Sequence, residues 1–425
     1  MLKERIINKL QEKQFKDFIV YGFGQAVNLL SPLLVMPYIV FICGEEGLGK
    51  VGVGLSFALI AIVLVDYGSY INGTKAISLN TTNQIVLEEK FTTIYFAKFI
   101  LLLIVIAGSS IIILGIPFFR KDYLQLLFSL LIVVGQFINP TWFLQGIQNF
   151  KWISTINIVS KVIYVCCVFL FIHKAEDYIY VNAFLGIGSI IASLISFIYI
   201  YNHYSFSFQK TSFVNAFHLI KEEFSLTISQ LFFSFYQYAP IMLISYVGGD
   251  FMAGQYRIID QVVMIFRTYF QMFFNFIYAD VCLEIYQNSK KGIANWKIKN
   301  GYNYLMVLLI VLLFYFNATT ILLFFKVNPS DVHKLAPLFR IGLFLPLFIG
   351  ISFSIKQLIF AFDKNKLYIK TTIFSTVLSL ILMFFLLTIL GLKGAFISTI
   401  LIEIFVIIVY LLILKKYLFK TKLQS

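Results

Sequence analysis

Apolar residues in this 425-residue chain gather into about twelve continuous runs, near 18–42, 50–71, 93–117, 122–145, 152–172, 178–201, 224–247, 251–281, 301–325, 335–361, 367–390 and 394–414. Each is long enough to cross a hydrocarbon core as a helix, for which roughly 20 residues suffice. A membrane barrel would read as short segments of period two, whereas these runs are unbroken, so the backbone hydrogen bonds have to close within each helix. The pattern predicts an all-α integral membrane protein of about twelve transmembrane helices.

One run is not uniformly apolar. Between Asp250 and Val281 the residues Arg257, Asp260, Gln261, Arg267, Gln271, Asn275 and Tyr278 recur at steps of three and four, one longer step being bridged by Met264, so they share a helix face. Lipid solvates no guanidinium, and a charge at bilayer depth costs roughly 2.5–3.5 kcal/mol on insertion scales. The stripe is therefore expected to face protein or a wet cavity, and to mark a polar cargo or an ion path.

The polar interruptions divide the chain. The one from Asn202 to Lys221 separates six runs from six and predicts two six-helix lobes, 1–205 and 206–425. Its Phe206, Phe208, Phe213 and Phe217 are expected to lie at the membrane interface as an amphipathic linker. A shift of 205 positions brings Gln25 onto Gln230, Gly44 onto Gly249, Glu45 onto Asp250 and Gly49 onto Gly254. Such a repeat implies two similar bundles with a cavity between them, the architecture of rocker-type transporters.

Composition sharpens the class: 60% of residues are hydrophobic, only 13% are charged, and the mean hydropathy is +0.88, outside the range of soluble domains. Most of the 34 Lys and Arg fall in loops on the side of the amino terminus, so the positive-inside rule predicts cytoplasmic termini at both ends. The net charge of +14 is then topological and directed at lipid headgroups, not at nucleic acid. The basic start from Met1 to Lys16 carries Glu4 and Glu12 and leads into a full-length span, so the first helix is expected to stay in the membrane.

Other candidate chemistry is thin. Gly44, Gly49 and Lys50 have phosphate-loop spacing, but Val51 replaces the hydroxyl residue that binds magnesium, and the stretch joins two membrane helices, so no nucleotide is expected. Glu45 and Glu46 sit in an outside loop of about eight residues, too short to shape a glycosyltransferase acceptor site. Cys43, Cys166, Cys167 and Cys282 read as packing residues, the four histidines pair at no ligand spacing, and neither a metal nor a cofactor is implied.

The charges within spans are Asp66, Lys98, Lys161, Arg257, Asp260, Arg267, Arg340 and Lys356, with Lys370 and Glu403. Lys98, Lys370 and Glu403 are assigned to an interface, which long side chains near helix ends can reach. Arg257 and Asp260 stand one turn apart and can pair, yet Lys161, Arg267, Arg340 and Lys356 still outnumber the remaining acid. An anionic cargo would balance them, and arginine suits phosphate because its planar fork donates two parallel hydrogen bonds. Tyr256, Gln261 and their aromatic and amide neighbours Gln230, Tyr236, Gln237, Tyr238, Gln255, Tyr269 and Gln271 fit a sugar-compatible lining.

Three stretches resemble the polysaccharide-transporter, or O-antigen flippase, branch of the multidrug/oligosaccharidyl-lipid/polysaccharide (MOP) exporter superfamily. They are Gln25 through Pro37 to Gly49; Asp66-Tyr67-Gly68 with Asn72 to Ile77, including Lys75; and Asn139-Pro140-Thr141-Trp142-Phe143-Leu144-Gln145-Gly146. Leu144 and Gln148 stand where the family often has Phe and Glu. The resemblance implies a MATE-like fold and a multi-pass protein of the bacterial inner membrane, not an enzyme. Its implied task is to translocate undecaprenyl-pyrophosphate-linked oligosaccharide, an O-antigen or capsular repeat unit, by ion-coupled alternating access. A polysaccharide polymerase and a chain-length regulator are the implied protein partners. Arg257, Arg267, Arg340, Lys161, Lys356, Gln261 and Tyr256 are then the expected cargo contacts, and Asp66 and Asp260 the expected coupling sites. A multidrug or cation antiporter of the same superfamily is the alternative, and a membrane glycosyltransferase or polymerase a more distant one.

Overall fold

A computed structural model describes residues 2–207 and 213–419, all of whose regular elements are helical. Phe208 and Lys210 of the expected linker lie outside the described residues. Among the described residues, ten helices are long and apolar enough to cross a membrane. Two of them are each broken once, at Gly44 and at Gly249, so counting the limbs separately gives twelve.

Both breaks have one backbone conformation, φ 71°, ψ 177° at Gly44 and φ 84°, ψ 168° at Gly249. That region is open essentially to glycine alone. An added Cβ would meet nothing within 4 Å at either position, so backbone strain and not crowding demands the glycine. The two residues are the pair that the 205-position shift superposes. The eight-residue outside loop expected after the first span is thereby reduced to one non-helical residue, and Glu45 is buried. Lys50, with its phosphate-loop spacing, is helical and pairs with Glu46 at 3.0 Å and Asp122 at 3.7 Å.

The chain divides into two compact units, Met1–Ser234 and Phe235–Ser425. The first holds α1 (Leu2–Asp66), α2 (Thr74–Ser78), α3 (Gln84–Gly115), α4 (Pro117–Arg120), α5 (Tyr123–Ile138), α6 (Thr141–Gly146), α7 (Phe150–Phe171), α8 (Tyr178–His203) and the start of α9 (Phe213–Gln287). Helices in lipid gain little from burying apolar surface against one another, so small residues and buried polar contacts hold them. Accordingly a Cβ at Gly186 of α8 would lie 2.6 Å from the Leu131 backbone of α5, and one at Gly188 would lie 2.5 Å from the Ser160 carbonyl of α7. Asn182, fully buried, donates to the Val51 carbonyl and to Ser129 Oγ, both at 2.9 Å.

The linker expected at the interface is split. Phe206 is buried in an aromatic cluster with Phe91, Trp142 and Phe143, while Phe213 and Phe217 are exposed. The Glu88 carboxylate explains the difference, because it accepts from both the backbone N–H and the hydroxyl of Ser207 at 2.8 Å and so ties that end of the segment to α3.

The second unit contains the rest of α9, then α10 (Ser289–Phe316), α11 (Ala318–Phe324), α12 (Pro329–Gly342), α13 (Leu345–Ala361), α14 (Asn365–Leu390) and α15 (Leu392–Phe419). Helix α13 lies on α15 and α10, where buried Gln357 accepts from Trp296 Nε1 at 2.9 Å and from Asn300 Nδ2 at 3.0 Å. Gly342 lets α12 approach Ile259 of α9 to within 2.5 Å of where a Cβ would stand.

Candidate functional site

The second limb of α9 carries the polar stripe, and its apolar side is covered while most of the stripe is not. The apolar positions Ile258, Ile259, Val262, Val263, Phe266, Phe270 and Phe274 are buried, whereas Arg257, Asp260 and Arg267 are half-buried and Gln271 and Asn275 exposed. Arg257 Nη1 stands 3.4 Å from Asp260 Oδ2. Arg267, two turns further on, is within electrostatic reach of Asp260, Tyr236, Glu403 and Tyr256. Gln261 and Tyr256 are buried, Tyr256 stacked on Phe396 at 5.4 Å.

Glu403 changes the charge balance of this cluster. It was assigned to an interface, but it lies eleven residues into α15, is buried, and accepts from the Tyr236 hydroxyl at 2.6 Å. Two arginines thus face two carboxylates. The cations beyond that count sit on aromatic rings. The Arg340 guanidinium is 5.5 Å from the Tyr315 ring and its Nε donates to the Tyr315 carbonyl at 3.3 Å. Lys356 Nζ is surrounded by Phe353, Tyr368, Phe274 and Phe360 at 4.9–5.7 Å. In the first unit, Lys161 Nζ is 6.0 Å from the Tyr164 ring. Within the second unit, then, the structure brings Arg257, Asp260, Arg267 and Tyr256 together on the stripe, and sets Arg340 and Lys356 in separate aromatic surroundings.

The first unit builds a second polar feature from the three motif stretches. Helix α1 stops at Asp66 because Tyr67 and Gly68 take φ values of 39° and 76°, and a π-helical turn follows over Ser69–Gly73. Such turns concentrate at functional sites. Gly68 suits that left-handed backbone, and a Cβ there would displace the Glu223 carboxylate, which accepts from Asn72 Nδ2 at 2.7 Å. The third stretch packs directly on the second: Thr74 Oγ1 donates to the Trp142 carbonyl at 3.0 Å, and a Cβ at Gly146 would stand 2.7 Å from Ile77. Pro140 caps α6, Pro37 lies inside α1, and Lys75 is exposed on α2.

Between these stretches lies a cavity of about 140 Å³, whose wall includes Gln25, Asp66, Ser69, Gln136, Asn139, Trp142 and Gln145. Asp66 is not bare. Lys98 Nζ stands 3.0 Å from its Oδ1, and Gln136 Nε2 donates to Oδ2 at 2.8 Å. Lys98 was expected to reach an interface, but its side chain is buried and its ammonium is held by Asp66 and by the Gln136 carbonyl at 3.3 Å.

The sequence profile of the polysaccharide biosynthesis protein family matches residues 15–282. The chain belongs to that family. The family match takes in both the cavity of the first unit and the entire stripe from Arg257 to Tyr278, while Arg340, Lys356 and Glu403 fall after it. A putative O-antigen transporter of Escherichia coli (strain K12) is 23% identical over 286 residues, 67% of this chain and 68% of the relative. Among solved structures, an inward-facing multidrug resistance MATE family transporter of the MOP superfamily aligns with a TM-score of 0.68 at 13% identity, covering 95% of this chain and 99% of its own. The lipid II flippase MurJ, in an inward closed conformation, aligns with a TM-score of 0.68 at 15% identity, covering 94% and 87%. This member of the polysaccharide biosynthesis family therefore has the MOP-superfamily fold.

Gln136 and Ser69 went unnoticed in the sequence, and Lys98 and Glu403 were misplaced there. The partners of the latter two lie far away along the chain, Asp66 by 32 positions and Tyr236 by 167. The signal available was chemical: a membrane Asp66 without a counter-charge is costly, and Lys98 was the cation within the next apolar run.

Proposed function

We propose that this protein is a flippase, not an enzyme, that carries an oligosaccharide linked to undecaprenyl pyrophosphate from the cytoplasmic to the outer face of the bacterial inner membrane. The observation that carries the reading is the stripe on α9, which presents two guanidinium groups on the less covered side of a membrane helix in a chain of the polysaccharide biosynthesis family. Arg257 and Arg267, with Gln261 and Tyr256 behind them, form the anion-binding core of the site. Arg340, Lys161 and Lys356 serve the same cargo at other points of its path, their charges held by rings and not quenched by carboxylates.

Transport proceeds by alternating access of two lobes, 1–205 and 206–425, with both termini cytoplasmic. Coupling to an ion gradient runs through Asp260 or Asp66, the two membrane carboxylates paired with a cation on a neighbouring turn or helix. A polymerase and a chain-length regulator act on the cargo after release. The relatives named as O-antigen transporters support the cargo class, and the MOP fold supports the mechanism.

The test is a null strain. Lipid-linked repeat units should accumulate on the cytoplasmic face and be cleared by the wild-type gene, while Arg257→Ala with Arg267→Ala, at wild-type protein level, should leave the units inside. Normal surface glycan in the double variant would sink the assignment of the stripe, and resistance to cationic dyes without any glycan defect would favour a drug antiporter instead.

A further inference from the structure

The cavity of the first unit is not explained by the anion-binding stripe. Its one carboxylate, Asp66, already has Lys98 at 3.0 Å and Gln136 at 2.8 Å, so the site carries no uncompensated negative charge to draw an alkali cation. The rest of the wall is neutral: amides from Gln25, Asn139 and Gln145, and the hydroxyl of Ser69. Amides and hydroxyls each both donate and accept, which is also the character of a sugar hydroxyl. Two wall residues, Ser69 and Trp142, are more than nine-tenths buried, and among the described residues Ser69 Oγ has no hydrogen-bond partner. Trp142 Nε1 is directed at the Tyr95 hydroxyl oxygen, which can accept from it while its own proton goes to the Ile138 carbonyl. Buried polar atoms are nearly always satisfied, so a hydroxyl left open beside a polar cavity points to a missing partner.

From this we infer that the cavity lined by Asp66, Ser69, Asn139, Trp142 and Gln145 is a binding site for one neutral sugar ring. Its volume is about 140 Å³, roughly ten times the ~10–15 Å³ that a single water requires, which leaves room for a monosaccharide. The inference rests on the flippase reading only for its biological purpose: the ring would be one residue of the cargo, held away from the pyrophosphate. The binding itself is independent of transport.

The three tryptophans make the test direct, because a protein labelled with ¹⁵N-tryptophan gives three indole signals, from Trp142, Trp152 and Trp296. Trp142→Phe assigns the one that matters. Purified protein in detergent is titrated with glucose, galactose, N-acetylglucosamine and N-acetylgalactosamine to about 50 mM, and separately with sodium chloride against potassium chloride; one ring held by a few hydrogen bonds binds in the millimolar range. At least one sugar should shift the Trp142 signal saturably and leave Trp296 in place. Ser69→Ala and Gln145→Leu, each verified as folded by the unmoved Trp152 signal of the same unit, should weaken that response about fivefold or more. No response to any of the four sugars, a response to sodium alone, or full response in both variants would overturn the inference. Failure of the flippase reading would appear elsewhere, as a null strain without trapped lipid-linked units, and would leave the Trp142 titration untouched.

Discussion

Lys98 and Asp66, on neighbouring helices of the first unit, form an ion pair in which the burden of burial is unequal: the lysine side chain is 2% exposed and the aspartate 20%. Removing one member of a buried pair strands the other, at a cost of about 3–5 kcal/mol for a fully buried charge. Asp66→Asn strands the more deeply buried member and should be the more destabilising change. Lys98→Met leaves a carboxylate that still has Gln136 and some solvent, and should cost less. The double variant should regain most of the loss. Unfolding midpoints in detergent for the three proteins check the order, and a Lys98→Met variant weaker than Asp66→Asn would show that the aspartate carries the burial cost.

Most of the helical plan was legible because lipid leaves the backbone no alternative: an unbroken apolar run of membrane length has to be a helix. The Gly44–Gly249 correspondence was legible too, since the repeat is carried by the residues that the strained turns require. Other features depend on contacts between segments remote in sequence. Gln25, Asp66 and Gln145 could each be noticed in a motif, but only packing puts them around one cavity. Glu403 was misplaced for the same reason, as a helix position alone does not reveal a tyrosine hydroxyl 167 residues away. The excess of cations within spans was therefore overstated on α9 and better located on the ring-bound Arg340, Lys161 and Lys356.

Gly44→Ala and Gly249→Ala should each destabilise the protein by about 1–3 kcal/mol, the usual cost of holding a side chain in that backbone region. Open space around both positions means that no larger penalty from crowding is added. The two single variants should therefore resemble one another despite lying in different units. Denaturation of both, side by side, is the measurement. A neutral Gly44→Ala would mean that the helix break relaxes to another conformation.

Glu403 is expected to be energetically tied to the stripe although it stands on α15. Its carboxylate holds the Tyr236 hydroxyl and acts on Arg267, so Glu403→Ala should cost about 1–3 kcal/mol by leaving buried polar groups unpaired. In a double-mutant cycle with Arg267→Ala the two effects should fall short of additivity by at least about 0.5 kcal/mol. Strict additivity would place Arg267 outside the influence of Glu403 and restore a free cation to the stripe.

Lys356 separates support from cargo binding. Four aromatic rings within 4.9–5.7 Å of its ammonium should make Lys356→Met destabilising by about 1–2 kcal/mol, the range for a largely desolvated cation over aromatic faces, while Lys356→Arg keeps most of that interaction. Methionine matches the stem in length, so the loss reports the charge and not a cavity. If the caged charge also meets the cargo, surface glycan per molecule of protein should fall several-fold in Lys356→Met and recover in Lys356→Arg. Glycan that tracks protein level alone in the methionine variant would confine Lys356 to holding α13 against α9 and α14, and would concentrate the cargo's anion contacts on Arg257 and Arg267.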